Sequence, residues 1–150
     1  MASRHPGATE MLVGFELGLY SRTDVGDWVT VEVDRHEVLV DPLLDLTTLN
    51  GKHDVDVAHL LRDLAGNPDV RVEAPIGIAV LGEMLRRKQR TCRNAIAQAA
   101  RIAEDLSRDE HGAALGLEDE LQLAEDGVYG VVSEVERAVV AFFSRYELGR

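Results

Sequence analysis

The chain has 150 residues, 45% of them hydrophobic and 29% charged, with one cysteine and a formal net charge of −11. That length and apolar content suit a single domain that buries a core without disulfides or metal staples, and they exclude a disordered chain. There is no apolar run of about 18 residues to span a bilayer, the lone Cys92 rules out an internal disulfide and fits a reducing, cytoplasmic setting, and the excess acid weighs against a general nucleic-acid binder.

Residues 1–9 read as a flexible start, and Gly14, Glu16 and Gly18 interrupt any signal-type apolar core behind them. The rest, 10–150, reads as one α+β domain. Met11, Val13, Phe15, Leu17 and Leu19 fall on alternate positions, the period of a strand with one buried face. Ser21 to Asp27 is rich in turn formers, after which Val29, Val31 and Val33 alternate with Thr30, Glu32 and Asp34. Glu37 to Val40 makes a third, shorter strand, stopped by Asp41-Pro42 because proline has no N–H for a ladder. Residues 10–41 therefore predict a three-stranded antiparallel meander.

The second half reads as helical. Asp54 is the predicted N-cap of a helix over 54–66, with Val57, Leu60, Leu61 and Leu64 on one face and Gly66-Asn67-Pro68 as its end. Residues 69–73 have room for a brief strand or an extended linker. Pro75 then opens a helix predicted over 76–107, on the order of 45 Å long at about 1.5 Å per residue. Leu81, Met84, Leu85, Cys92, Ala95, Ile96, Ala99, Ile102, Ala103 and Leu106 share its apolar face. The natural cover for that face is the stripe Val128, Val132, Val135, Val139, Phe142, Phe143 and Tyr146, so a long antiparallel helix hairpin is predicted. Between its arms, Asp109 to Gly116 reads as a loop and Leu117 to Ala124 as a short acidic helix within the C-terminal helices of 117–147.

Charge is spread unevenly. Residues 1–50 hold 3 Lys+Arg against 9 Asp+Glu, residues 51–100 hold 8 against 6, and residues 101–150 hold 5 against 12. The basic surplus comes from Arg86-Arg87-Lys88-Gln89-Arg90-Thr91-Cys92-Arg93. On one continuous helix Arg86, Arg90 and Arg93 fall within about 60° of one another, opposite the apolar face. Arg86, Arg87, Arg90 and Arg93 are the candidate partner-binding residues, since guanidinium forks suit carboxylates and phosphates. The plainer reading is a solvated face paired with the protein's own acid, notably Glu118 to Glu120. Lys88 projects towards the apolar side on that wheel.

Asp56, His59 and Asp63 share the polar face of the 54–66 helix, a mixed carboxylate and imidazole set that suits a divalent metal but lacks a further ligand. A solvated face with a local His59–Asp63 pair is the simpler account. Cys92, on an apolar face, reads as an inert small hydrophobe. Nucleophile-elbow, phosphate-loop, dinucleotide and zinc-ribbon patterns are missing, and Gly77 to Gly82 is followed by Glu83 where a phosphate loop needs Lys. No cofactor is indicated.

The run Val38-Leu39-Val40-Asp41-Pro42-Leu43 after a small sheet, followed by Gly77 to Leu85 leading into an arginine-rich helix, resembles the accessory regions that accompany bacterial conflict-system proteases. The likeness assigns no residue a role. With no catalytic set, the favoured reading is a non-enzymatic protein–protein interaction module, a subunit, adaptor or immunity/antitoxin-like partner. It docks on a protein or on itself through amphipathic helices and the arginine stripe. The alternatives are a nucleic-acid or nucleotide-binding regulator using the same stripe, and a small metal-dependent enzyme built on Asp56, His59 and Asp63.

Overall fold

The computed structural model describes residues 4–149, and these form eight helices with no strand. The predicted α+β class and its meander are thereby overturned: the protein is all-helical. The chain divides into two compact units, one ending at Asp69 and the other spanning Val70–Leu148. Gly66-Asn67-Pro68 ends a helix and also lies just before this boundary. None of the helices is long and apolar enough to cross a membrane, among the described residues.

The first unit holds α1 (Ala8–Leu17), α2 (Arg22–Arg35), α3 (Asp41–Leu46) and α4 (Asp54–Leu64). Alternation misleads over 11–19 because the intervening positions are buried too: Met11, Leu12, Val13 and Gly14 are all inside, which a one-faced strand forbids and a deeply set helix allows. The turn formers at Ser21 to Asp24 are a capping box. The Ser21 hydroxyl accepts from the Asp24 N–H at 3.1 Å and the Asp24 carboxylate accepts from the Ser21 N–H at 2.8 Å. Val25, Trp28 and Val29 then bury an i, i+3, i+4 face while Val31 points to water, so the valine alternation is incidental to a helix. The third predicted strand is an extended connection in which Val38 is 82% exposed, and Asp41-Pro42 starts α3, with proline in the first turn, where its missing N–H costs nothing. With the sheet gone, the likeness to conflict-system accessory regions loses the element it began from.

Met11 and Leu12 of α1, Val25, Trp28 and Val29 of α2, Leu43 and Leu46 of α3, and Val57 and Leu61 of α4 make one core. Of the predicted flexible start, residues 1–3 lie outside the described residues. Residues 4–7 are tied down, and Ala8 and Thr9 are already helical: Trp28 Nε1 donates to the Pro6 carbonyl at 2.7 Å, and the His5 ring stacks on Trp28 at 5.8 Å between centroids.

The second unit holds α5 (Val70–Arg86), α6 (Cys92–Ala103), α7 (Arg108–Glu125) and α8 (Val132–Ser144). Residues 70–73 are helical and not a strand, because α5 starts at Val70 and carries Pro75 inside it, and Asp69 ends the connection before it. The predicted 76–107 helix is two helices. Folding back at residues 87–91 lets the face of Ile78, Leu81 and Met84 meet that of Ala95, Ile96 and Ala99, where one straight rod of about 45 Å would have outrun its cover. Buried alanines along α6 allow close approach to α5 and α7. The predicted loop 109–116 is helical, because Ser107 caps Glu110 and starts α7 two turns earlier than expected. Val135, Val139, Phe142 and Phe143 of α8 close the core.

Candidate functional site

The basic residues do not form a stripe along one helix; they crowd a turn. Helix α5 ends in a Schellman arrangement: Gln89 N–H donates to the Met84 carbonyl (2.8 Å) and Lys88 N–H to the Leu85 carbonyl (3.1 Å). Lys88 takes the left-handed position, at φ 59°, that glycine usually fills. Its side chain is exposed, not turned to the apolar side as the continuous wheel implied, and has no hydrogen-bond or ion-pair partner among the described residues. Thr91 then caps α6 by accepting from the Asn94 N–H at 3.1 Å.

Four arginines surround this turn. Arg86 and Arg87 share one acid, Glu83, at 2.9 Å each. The hydrogen bond from Arg86 is the main reason the Glu83 carboxyl sits below the ordinary glutamate range, against partial burial that pushes it up. Two guanidiniums on one carboxylate leave a positive surplus. Arg90 Nε donates to Gln98 Oε1 at 3.2 Å. Arg93 reaches from the start of α6 to the last turn of α7, bonding Glu125 at 2.5 Å and also Gln122. Arg86, Arg87 and Arg93 engage Glu83 and Glu125, and among the described residues none of Glu118 to Glu120 is engaged.

That reach brings a second turn to the same end of the unit. Helix α7 ends with Val128 N–H donating to the Leu123 carbonyl (2.9 Å) and Gly127 N–H to the Ala124 carbonyl (3.1 Å), with Gly127 at φ 71° and Gly130 at φ 85°. Between these glycines Val128 is 71% and Tyr129 76% exposed, and Val131 follows at 53%. Sequence reasoning placed Val128 on the buried stripe and passed over Tyr129; the Gly127-Val128-Tyr129-Gly130 run was the available signal, since glycines spaced this way mark a fixed turn. Beside it lies a cleft of about 500 Å³ lined by Glu120, Tyr129, Val131, Glu134, Val135 and Ala138.

The other candidates do not converge. Asp56, His59 and Asp63 are all exposed on α4, and no three His, Cys, Asp or Glu side chains among the described residues come together to hold a metal. Asp56 serves the helix start, accepting from the His53 N–H at 3.3 Å, so His53 and not Asp54 is the N-cap residue. His59 and Asp63 form no ion pair; neighbouring Arg62 reaches Glu16 at 3.0 Å. Cys92 is the first residue of α6 and half-buried, and burial, then the Glu136 charge, push its thiol up, away from the reactive thiolate.

The most enclosed polar group lies in the first unit and was not singled out from sequence. Glu10, only 8% exposed, takes Arg4 Nη2 on both oxygens at 2.7 Å and the Tyr20 hydroxyl on Oε2 at 2.8 Å. Tyr20 lies against Gly14 so closely that a Cβ there would collide with the ring. Glu32 takes His5 at 2.5 Å and His36 at 3.2 Å. Arg4, His5, Glu10 and Glu32 hold the N-terminal segment to α1 and α2, so this group acts as a clasp.

No family model, curated protein or solved structure matches this chain.

Proposed function

We propose that this protein is a non-enzymatic interaction module, a subunit or adaptor that docks through the turn end of its C-terminal unit onto another polypeptide. The observation that carries the reading is the exposure of Val128, Tyr129 and Val131 on a turn pinned by two left-handed glycines, beside the arginine-rich turn. Held outward on a fixed turn, these side chains lose little freedom when a partner covers them, which keeps the ordering cost of binding low. Tyrosine and arginine are also the residue types that supply the centres of protein interfaces, one through a rigid apolar ring and the other through forked donors. The acidity of the rest of the chain favours a polypeptide over a phosphate backbone.

The test is capture from native cell extract by the tagged full chain, wild type against a Val128→Ser, Tyr129→Ala variant. Both positions are exposed, so stability should stay within about 0.5 kcal/mol of wild type. A stoichiometric protein held by the wild type and lost from the variant is the expected result. Nucleic acid as the only bound species, released as salt rises, sinks the reading in favour of a nucleic-acid regulator.

A further inference from the structure

We infer that the polypeptide recognised at this end is a second copy of the same chain, the basic turn of each copy entering the tyrosine-walled acidic cleft of the other. This deepens the interaction reading and rests on it. The two surfaces are opposite in charge and unequally satisfied within the chain. Glu120 and Glu134 line the cleft, and neither side chain has a hydrogen-bond or ion-pair partner among the described residues. Across the end of the unit, Arg86 and Arg87 share Glu83, and Lys88 stands without a partner.

The cleft suits long cationic side chains. Val131 and Val135 offer apolar wall to an alkyl stem, Tyr129 offers a ring face to its cation, and the two carboxylates receive the charge. The turn Arg87-Lys88 supplies such side chains on a backbone fixed by its Schellman hydrogen bonds.

Placement decides between a closed pair and an open chain of copies. Arg93 bonded to Gln122 and Glu125 sets the start of α6 against the last turn of α7, so turn and cleft share one end of the unit. Two copies facing end to end about a two-fold axis can make both contacts at once, which closes the assembly as a dimer. A chain of net charge −11 repels its copies at long range, and approach through the basic turn is the orientation that offsets this.

Sedimentation of the full chain over a range of concentration and salt tests the inference. A dimer at low salt that dissociates at high salt is expected, because the Debye length falls from about 10 Å at 0.1 M to about 3 Å at 1 M. Glu120→Lys with Glu134→Lys, and separately Arg87→Glu with Lys88→Glu, should each weaken self-association about tenfold or more. Mixing the two variants should restore a dimer, since each then meets a surface of opposite charge; that rescue also shows both are folded. A dimer indifferent to these changes, or a mixture that stays monomeric, overturns the inference. A wild-type monomer that still captures a different protein through Tyr129 overturns it too while leaving the interaction reading standing; a monomer that captures nothing sinks both.

Discussion

The two units treat charge in opposite ways. The first brings a carboxylate inside: Glu10 is the one buried charged residue among those described, matched by Arg4 and Tyr20. The second has a core with no such group among the described residues, built from aliphatic, alanine, methionine and phenylalanine side chains, and keeps its charged side chains at the surface, a basic group of them around one turn. A buried, paired carboxylate fixes a local arrangement, because losing a partner leaves an uncompensated charge. Exposed charges on a fixed turn cost little to keep and can be neutralised from outside. The first unit thus uses its enclosed carboxylate for its own fold, and the second leaves Lys88, Glu120 and Glu134 available.

The largest effects should come from the cores and should separate the units. Phe143→Ala removes a fully buried ring and should cost about 3–5 kcal/mol, and Leu61→Ala about 2–5 kcal/mol. Hydrogen exchange should then quicken first in α5 to α8 for the former and in α1 to α4 for the latter. Equal loss of protection in both units under either change would break the comparison. Arg4→Ala comes next. It strands Glu10 with only the Tyr20 hydroxyl and should cost about 1–3 kcal/mol, with the fluorescence of Trp28, the sole tryptophan, shifting as the neighbouring segment loosens. If stability and emission stay as in wild type, the clasp does not matter to the first unit.

How much of this was readable beforehand differs along the chain for physical reasons. Val57, Leu61 and Leu64, and likewise Val135, Val139 and Phe142, repeat at three and four residues, and helices α4 and α8 bury most of these positions. Residues 11–34 misled because a six-residue window of alternating valines fits period 2 nearly as well as period 3.6. The deciding signal there was the Ser21–Asp24 box, read as a turn. The break at 87–91 carries no glycine or proline, and Lys88 adopts the left-handed turn without announcing it. As a result the arginines were legible as a cluster but not as a turn, and the exposed Tyr129 beside them was missed because Val128 fitted the phase of the α8 stripe. The clasp around Glu10 joins residues that no periodicity connects.

Lys88→Gly sharpens the account of the second unit, since it separates backbone strain from charge. A lysine held at φ 59° costs roughly 1–2 kcal/mol relative to glycine, so this exposed substitution should stabilise the protein, by about 1 kcal/mol in a thermal melt, while weakening any charge-dependent association at the turn. A melt that falls instead would mean the lysine side chain supports the fold.

The smallest effect is expected at the far end of α7 from the turns. There Tyr146 donates its hydroxyl to Glu110, which also takes Arg145 at 2.9 Å. Burial, then the hydrogen bond to Glu110 and that residue's charge, push the phenol up to about 12, with Arg145 opposing. A raised folded-state value favours the protonated phenol, so the contribution is complete below the unfolded value near 10 and is lost as pH rises from there to about 12. Denaturant midpoints should therefore fall across that alkaline window in the wild type, and fall less in Tyr146→Phe, which keeps the ring on Phe142 but has no phenol to ionise. Equal alkaline losses in the two proteins would show that Tyr146 does not fasten α8 to the start of α7. The two ends of the second unit would then differ less than their hydrogen bonds imply.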